Sequence, residues 1–192
     1  MELKGILSRK PVKFLTLLLT AMLIASASAA VYYSLSMQPQ VTVSTPTIRF
    51  ESGTDTPANS SVTDAWCMLN LKSYPNATLT YDDAVNISNT DLNSAHSFKL
   101  KHSSVTPANG SATVGNWSYI KFVIYDENGT QMASLNYTVS STDWILEPVN
   151  GETSSLNIPA DKDWTVKVIT LSPATATIGQ VCNIEISVDV TE

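Results

Sequence analysis

VCNIEISVDV, residues 181–190, is the stretch on which the fold turns. Its even positions carry Cys182, Ile184, Ile186, Val188 and Val190, and its odd positions from Asn183 carry Asn, Glu, Ser and Asp. Apolar and polar residues alternate with a period of two, which is the pattern of a strand with one face in a core and the other in water. The alternation returns upstream. DWTVKVITLS sets Trp164, Val166 and Val168 against Thr165 and Lys167. SYIKFVIYDE sets Ile120, Phe122 and Ile124 against Tyr119, Lys121 and Val123. It runs into the turn DENGT and then into QMASLNYTV, so residues 117–139 are predicted as a hairpin. HSFKLKHSSV opposes Phe98 and Leu100 to Lys99 and Lys101. AWCMLNLK puts Cys67 in step with Leu69 and Leu71. Weaker candidates lie near residues 84–88, 144–146 and 155–158. About eight short strands with turns between them predict an all-β chain, a single β-sandwich of jelly-roll type over residues 65–192.

The chain has 192 residues, which suits one such domain plus an export segment. Charged residues make up 15% and the net charge is −6, so the clustered Lys and Arg that nucleic acid requires are absent. Lys4, Arg9, Lys10 and Lys13 precede an apolar tract from Phe14 to about Ala30. A basic flank of this kind stays in the cytoplasm while the chain behind it crosses the membrane. Ala25, Ala27 and Ala29 form A-x-A arrangements that suit cleavage near Ala29 or Ala30. Counted on to Tyr33, the tract approaches the ~20 residues of a spanning helix, so a retained anchor at residues 14–33 is the alternative. Residues 1–30 are thus a signal peptide or a membrane anchor. Both place the remainder outside the cell.

Seven N-x-[ST] triplets begin at Asn59, Asn76, Asn86, Asn109, Asn116, Asn128 and Asn136. They are the candidate glycosylation sites, and most fall in polar segments that read as loops. Asn136 lies in a strand but points away from Ala133, Leu135, Tyr137 and Val139, so a glycan there is geometrically permitted. The two cysteines, Cys67 and Cys182, both point inward by parity. Outside the cell such a pair suits a disulfide, which would close a loop of roughly 115 residues and contribute roughly 4–5 kcal/mol. Two separate core thiols are the competing reading.

Before the sandwich comes VTVSTPTIRF, residues 41–50, in which Val41 and Val43 share one parity and Ile48 and Phe50 the other. Pro46 cannot donate to a ladder and breaks the segment in two. Residues 31–50 are read as an extended N-terminal piece. ESGTDTPANSSVTD, residues 51–64, has no period and reads as a flexible polar connection. Two pairings fit the extended piece. It folds back as the first strand of its own sandwich, or it inserts into a neighbouring copy by strand addition, which repeated head to tail builds a filament.

The layout resembles that of the TasA/camelysin-like family, and above all the archaeal bundling pilins related to it. The resemblance rests on the Ala-rich end of the export segment, Val31-Tyr32-Tyr33, the piece closing in IRFESG, VNISNTDLNSAHSFKLK, and LNIPADKDWTVKVITL followed by CNIEISVDV. It spans most of residues 14–190. In that family jelly-roll-like subunits polymerise by donating an N-terminal strand to the next subunit. The resemblance implies a donor from about Gln38 to Phe50, with Val41, Val43, Ile48 and Phe50 as its pocket-filling side chains, and copies of the chain as partners. The long apolar tract departs from this pattern, since a retained anchor would prevent release into a fibre.

Camelysin-like proteins are labelled metalloproteases, but His96 and His102 stand outside any HExxH and no G-x-S-x-G elbow occurs. The carboxylate pairs Asp82/Asp83, Asp126/Glu127 and Asp161/Asp163 read as loop residues. Loop oxygens of this kind bind Ca²⁺, although solvated turn carboxylates are the commoner explanation. Trp66, Trp117, Trp144 and Trp164 could line a glycan-binding face, which core packing explains more simply. The expectation is therefore a non-enzymatic subunit of an extracellular pilus or biofilm fibre, N-glycosylated and without a cofactor. The alternative is a membrane-anchored Ig-like or adhesin-like binding ectodomain.

Overall fold

The computed structural model describes residues 13–21, 46–108, 114–140 and 143–191. The chain divides into two units, Met1–Val43 and Ser44–Glu192. Within the first, residues 13–21 are helical, and the hydroxyl of Thr20 folds back onto the carbonyl of Thr16 at 2.9 Å. Among the described residues no helix is long and apolar enough to cross a membrane. The expected cleavage sites, Val41 and Val43, and the Asn109 triplet lie outside the described residues.

In the second unit the alternating stretches are strands: β1 (Ile48–Ser52), β2 (Ser61–Val62), β3 (Trp66–Lys72), β4 (Thr78–Asn89), β5 (His96–Ala108), β6 (Tyr119–Tyr125), β7 (Gln131–Ser140), β8 (Asp143–Glu147), β9 (Leu156–Ile158), β10 (Lys162–Leu171) and β11 (Val181–Thr191). They form two antiparallel sheets, ordered β1-β4-β10-β6-β7-β8 and β2-β3-β11-β5-β9. The fold is an all-β sandwich. β11, the strand that first declared itself, runs through the middle of the second sheet, between β3 and β5.

One core lies between the sheets. Cys182, Ile184 and Ile186 of β11, with Leu69, Leu71, Phe98 and Leu100, meet Trp164, Val166, Val168, Ile120, Phe122, Ile124, Leu135 and Tyr137. Burying each such aliphatic or aromatic side chain is worth about 1.5–3 kcal/mol. Phe98 and Trp164 bridge the sheets edge to face, with centroids 5.9 Å apart.

Three expectations need correction. First, Ile48 and Phe50, implied by the resemblance as donor side chains, here follow the fold-back alternative. β1 pairs with β4 of its own chain, from Ile48↔Asn89 to Ser52↔Val85, and both side chains sit in the core. The sandwich thus begins before residue 65. Second, residues 51–64 are no flexible connection. The backbone N–H and hydroxyl of Thr54 donate to Asp83 Oδ2 at 2.7 and 2.8 Å, and the Asp55 N–H donates to the Asp83 carbonyl at 2.9 Å. The Asp82 N–H returns a bond to Asp55 Oδ2, and Thr56 donates to the Ala84 carbonyl. A Cβ on Gly53 would run into the carbonyl of Asp83, so this close approach needs glycine. Asp82 and Asp83 accordingly belong to β4 and not to a loop. Third, Cys67 and Cys182 are free buried thiols. Register pairs Cys182 with Leu71 and Cys67 with Ile186. Four residues along a strand is roughly 13 Å, and a disulfide needs Cα atoms within about 7 Å.

Candidate functional site

The sandwich has two flanks, where the edge strands of the two sheets face each other. At the first flank, β1 completes one sheet and β2 the other. The Phe50 N–H donates to the Asp64 carbonyl at 2.9 Å, tying β1 to the segment that enters β3. β2 pairs with β3 at Ser61↔Met68 and Val62↔Cys67, and just beyond it the Ser60 hydroxyl takes the N–H of Asn70 at 3.0 Å. The Phe50 and Asn70 amides at this flank thus have partners within the chain.

At the second flank the edges are β8 and β5. β8 pairs with β7 on one side only, and its Ile145 is 47% exposed. β5 is thirteen residues long, yet β9 covers it only at His96, Ser97 and Phe98. Past that point Thr153 exchanges bonds with Leu100, and the His102 N–H donates to the Gly151 carbonyl at 2.7 Å. From Ser103 onward, no strand among the described residues pairs with the outer edge of β5. A sheet edge in this condition is a template for another strand.

Aromatic side chains fill the space between these edges. His102 of β5 meets Tyr137 of β7 at 5.4 Å between rings, and its Nδ1 lies 3.0 Å from the Tyr137 hydroxyl. Tyr137 contacts Phe122 and Trp144, and Trp144 contacts Trp117 at 6.3 Å. The indole nitrogens of Trp117 and Trp144 are both buried without a hydrogen-bond partner. Two unpaired N–H groups in one cluster are uncommon, because each costs about 1–3 kcal/mol of lost hydration. Burial also holds His102 below the usual imidazole range and pushes the Tyr137 phenol up. The Cys182 thiol is raised by burial to about 12, and Cys67 is raised too, so neither is a ready nucleophile.

The remaining candidates have local structural work. His96 Nε2 lies 2.9 Å from Asp91 Oδ2. The Asn93 amide and then His96 hold the Asp91 carboxyl below its ordinary value. The two histidines are thus engaged separately. Asp82, Asp126, Glu127 and Asp163 converge on one depression beside Lys167. Lys167 Nζ lies 2.6 Å from Asp82 Oδ1, Asp126 caps its own turn through the amides of Asn128 and Thr130, and Glu127 accepts the indole N–H of Trp164. Among the described residues no group of three or more His, Cys, Asp or Glu is placed to hold a metal. Trp164 and Trp117 are core residues, whereas Trp66 is 36% exposed.

The glycosylation candidates separate by geometry. Asn59, Asn76 and Asn128 are exposed in turns, the first two at φ 64° and 51°. Asn86 is half-buried in β4 and accepts the hydroxyl of Thr165. Asn116 is buried at 5% exposure, and its side-chain oxygen takes the Thr177 N–H at 2.8 Å, which closes that triplet to a glycan in the folded state. Asn136 is half-buried on the outer face of β7.

No family model matches the chain, and no curated protein matches it.

Proposed function

We propose that this protein is a structural subunit of an extracellular filament, in which the second flank of each sandwich receives an extended segment from a neighbouring copy. The bare outer edge of β5 beyond His102 is the observation that carries this reading. Its outward amides and carbonyls have no ladder partner among the described residues, and a strand laid along that edge supplies one. The donor is residues 38–45, with Val41 and Val43 at alternate positions, because Ile48 and Phe50 are committed to their own sheet. The same reading takes residues 1–30 as an export segment and follows the resemblance to bundling pilins. Glycans at Asn59, Asn76 and Asn128 would coat turns without touching either flank's ladders.

A second reading, a membrane-anchored binding ectodomain, draws support from the first flank, where the chain's own β1 takes the edge position. N-terminal sequencing and electron microscopy of cell-surface material separate the two. The filament reading expects a cleaved N-terminus near residue 30 and fibres that vanish when residues 31–45 are deleted. Fibres that persist after the deletion, or a mature chain that keeps Met1 and stays in membranes, would sink it.

A further inference from the structure

Three neighbouring strands place a lysine, an asparagine and a glutamate in one row. On the outer face of the larger sheet, Lys121 of β6 stands directly opposite Asn136 of β7. Asn136 in turn stands directly opposite Glu147 of β8. Directly opposed residues have Cβ atoms about 4.5–5.5 Å apart, which a lysine side chain spans with length to spare. The three line a depression of about 300 Å³, completed by Tyr119 and Thr138. On its other side Lys121 faces Ile169 of β10, so its polar partners along the row are Asn136 and Glu147. The carboxamide oxygen Oδ1 of Asn136 is buried and has no hydrogen-bond partner. It is an electrophilic carbonyl held out of water, with its acceptor position vacant and a carboxyl group on the next strand.

We infer that Lys121 and Asn136 are the two ends of an intramolecular isopeptide bond, formed with Glu147 as the proton carrier. Lys121 Nζ gives a proton to the Glu147 carboxylate and attacks Cγ of Asn136. The Glu147 carboxyl group donates a hydrogen bond to Oδ1 as negative charge builds there. The Nζ–Cγ bond forms, the Cγ–Nδ2 bond breaks with its electron pair going to nitrogen, Glu147 hands the first proton on to Nδ2, and Nζ sheds a second proton, which the released ammonia takes up. Ammonia leaves. Net, one ammonium group and one carboxamide become one secondary amide and one ammonium ion, with no oxidant or reductant. The bond would lock the β6–β7 hairpin beside β8, the strand that borders the open flank. It also excludes a glycan at Asn136, because sugar attachment needs the same Nδ2 that the crosslink expels. The inference stands whether or not the chain polymerises.

Intact-mass measurement of the secreted, deglycosylated full chain tests it, followed by peptide mapping. The expected result is a mass about 17 Da below the sequence value, the loss of one ammonia, with a branched peptide joining Lys121 to Asn136. Lys121→Arg and Glu147→Gln should restore the sequence mass. A wild-type peptide with a free Lys121 amine, or with sugar on Asn136, overturns the proposal. So does an ammonia loss that maps to Asn109-Gly110, Asn128-Gly129 or Asn150-Gly151, where a succinimide has the same mass. A crosslink formed at full yield in Glu147→Gln removes Glu147 from the chemistry. The branched peptide is read on wild-type protein, so a variant that fails to fold does not blunt the test.

Discussion

At one flank of the sandwich, Ile48 and Phe50 lie in the core and β1 hydrogen-bonds along β4, while Thr54 to Thr56 are stitched to Asp83 and Ala84. At the other, β5 runs on past its short partner β9, and Trp117 and Trp144 keep their indole N–H groups unpaired. The same two sheets supply both flanks, so the difference lies in what the chain brings to each edge. The first receives the chain's own extended segment. The second receives only the three residues of β9 and a turn at Gly151. An edge that finds its partner within the chain adds to the stability of the single molecule. An edge left bare presents hydrated amides and carbonyls that another strand can pair.

Substitutions should separate the flanks, with the largest effect at the closed one. Phe50→Ala should cost about 3–5 kcal/mol, because it empties a core site that two sheets enclose, and denaturant unfolding of the monomer would report it. A change below ~1 kcal/mol would show that β1 is peripheral. Gly53→Ala should cost about 1–3 kcal/mol, since the added methyl pushes residues 53–55 off Asp83. The same titration reads it. At the open flank, Trp144→Phe should change monomer stability by no more than about 1 kcal/mol, because the ring stays and an unpaired N–H goes. A loss as large as that for Phe50→Ala would mean that Trp144 already has a partner in the single molecule.

The smallest effect concerns acid. Burial lowers the affinity of folded His102 for a proton below that of the unfolded chain. Above the unfolded value, near 6.5, both forms are neutral and His102 contributes no pH dependence. As pH falls below about 6.5 the unfolded chain takes up a proton first, so stability declines. Asp91, Asp126 and Glu152, whose carboxyls are held low by the Asn93 amide, the Thr130 amide and Lys101 in turn, add further loss at lower pH as each is protonated. His102→Phe should flatten the decline near pH 6 and leave the lower one. Thermal melts from pH 8 to pH 4 would show both.

Strand identity was legible wherever one face is apolar. β11, β10, β6 and β7 announced themselves through Ile184, Val166, Phe122 and Leu135, and their inward faces are those the alternation implied. β4 was only half visible. Its first six residues, TLTYDD, alternate between exposed and half-buried and carry polar groups on both faces, so pairing with β10 rather than a hydrophobic pattern defines them. Residues 51–64 looked loose because their order comes from hydrogen bonds to the backbone of β4, which leave no period in the sequence. Parity correctly turned Cys67 and Cys182 inward, but parity fixes a face and not a position along the strand, and register then set them apart. The row of Lys121, Asn136 and Glu147 was hidden for the same reason. Each residue is an ordinary polar partner in its own strand, and only the joint register of three strands brings them together.

Density for an assembled fibre at side-chain resolution would show what lies along the outer edge of β5. On the filament reading, β1 of each subunit should remain on its own β4, with Val41 and Val43 of a neighbour laid along β5 beyond His102. A bare β5 edge in the fibre, or Ile48 and Phe50 exchanged into a neighbour's sheet, would contradict it.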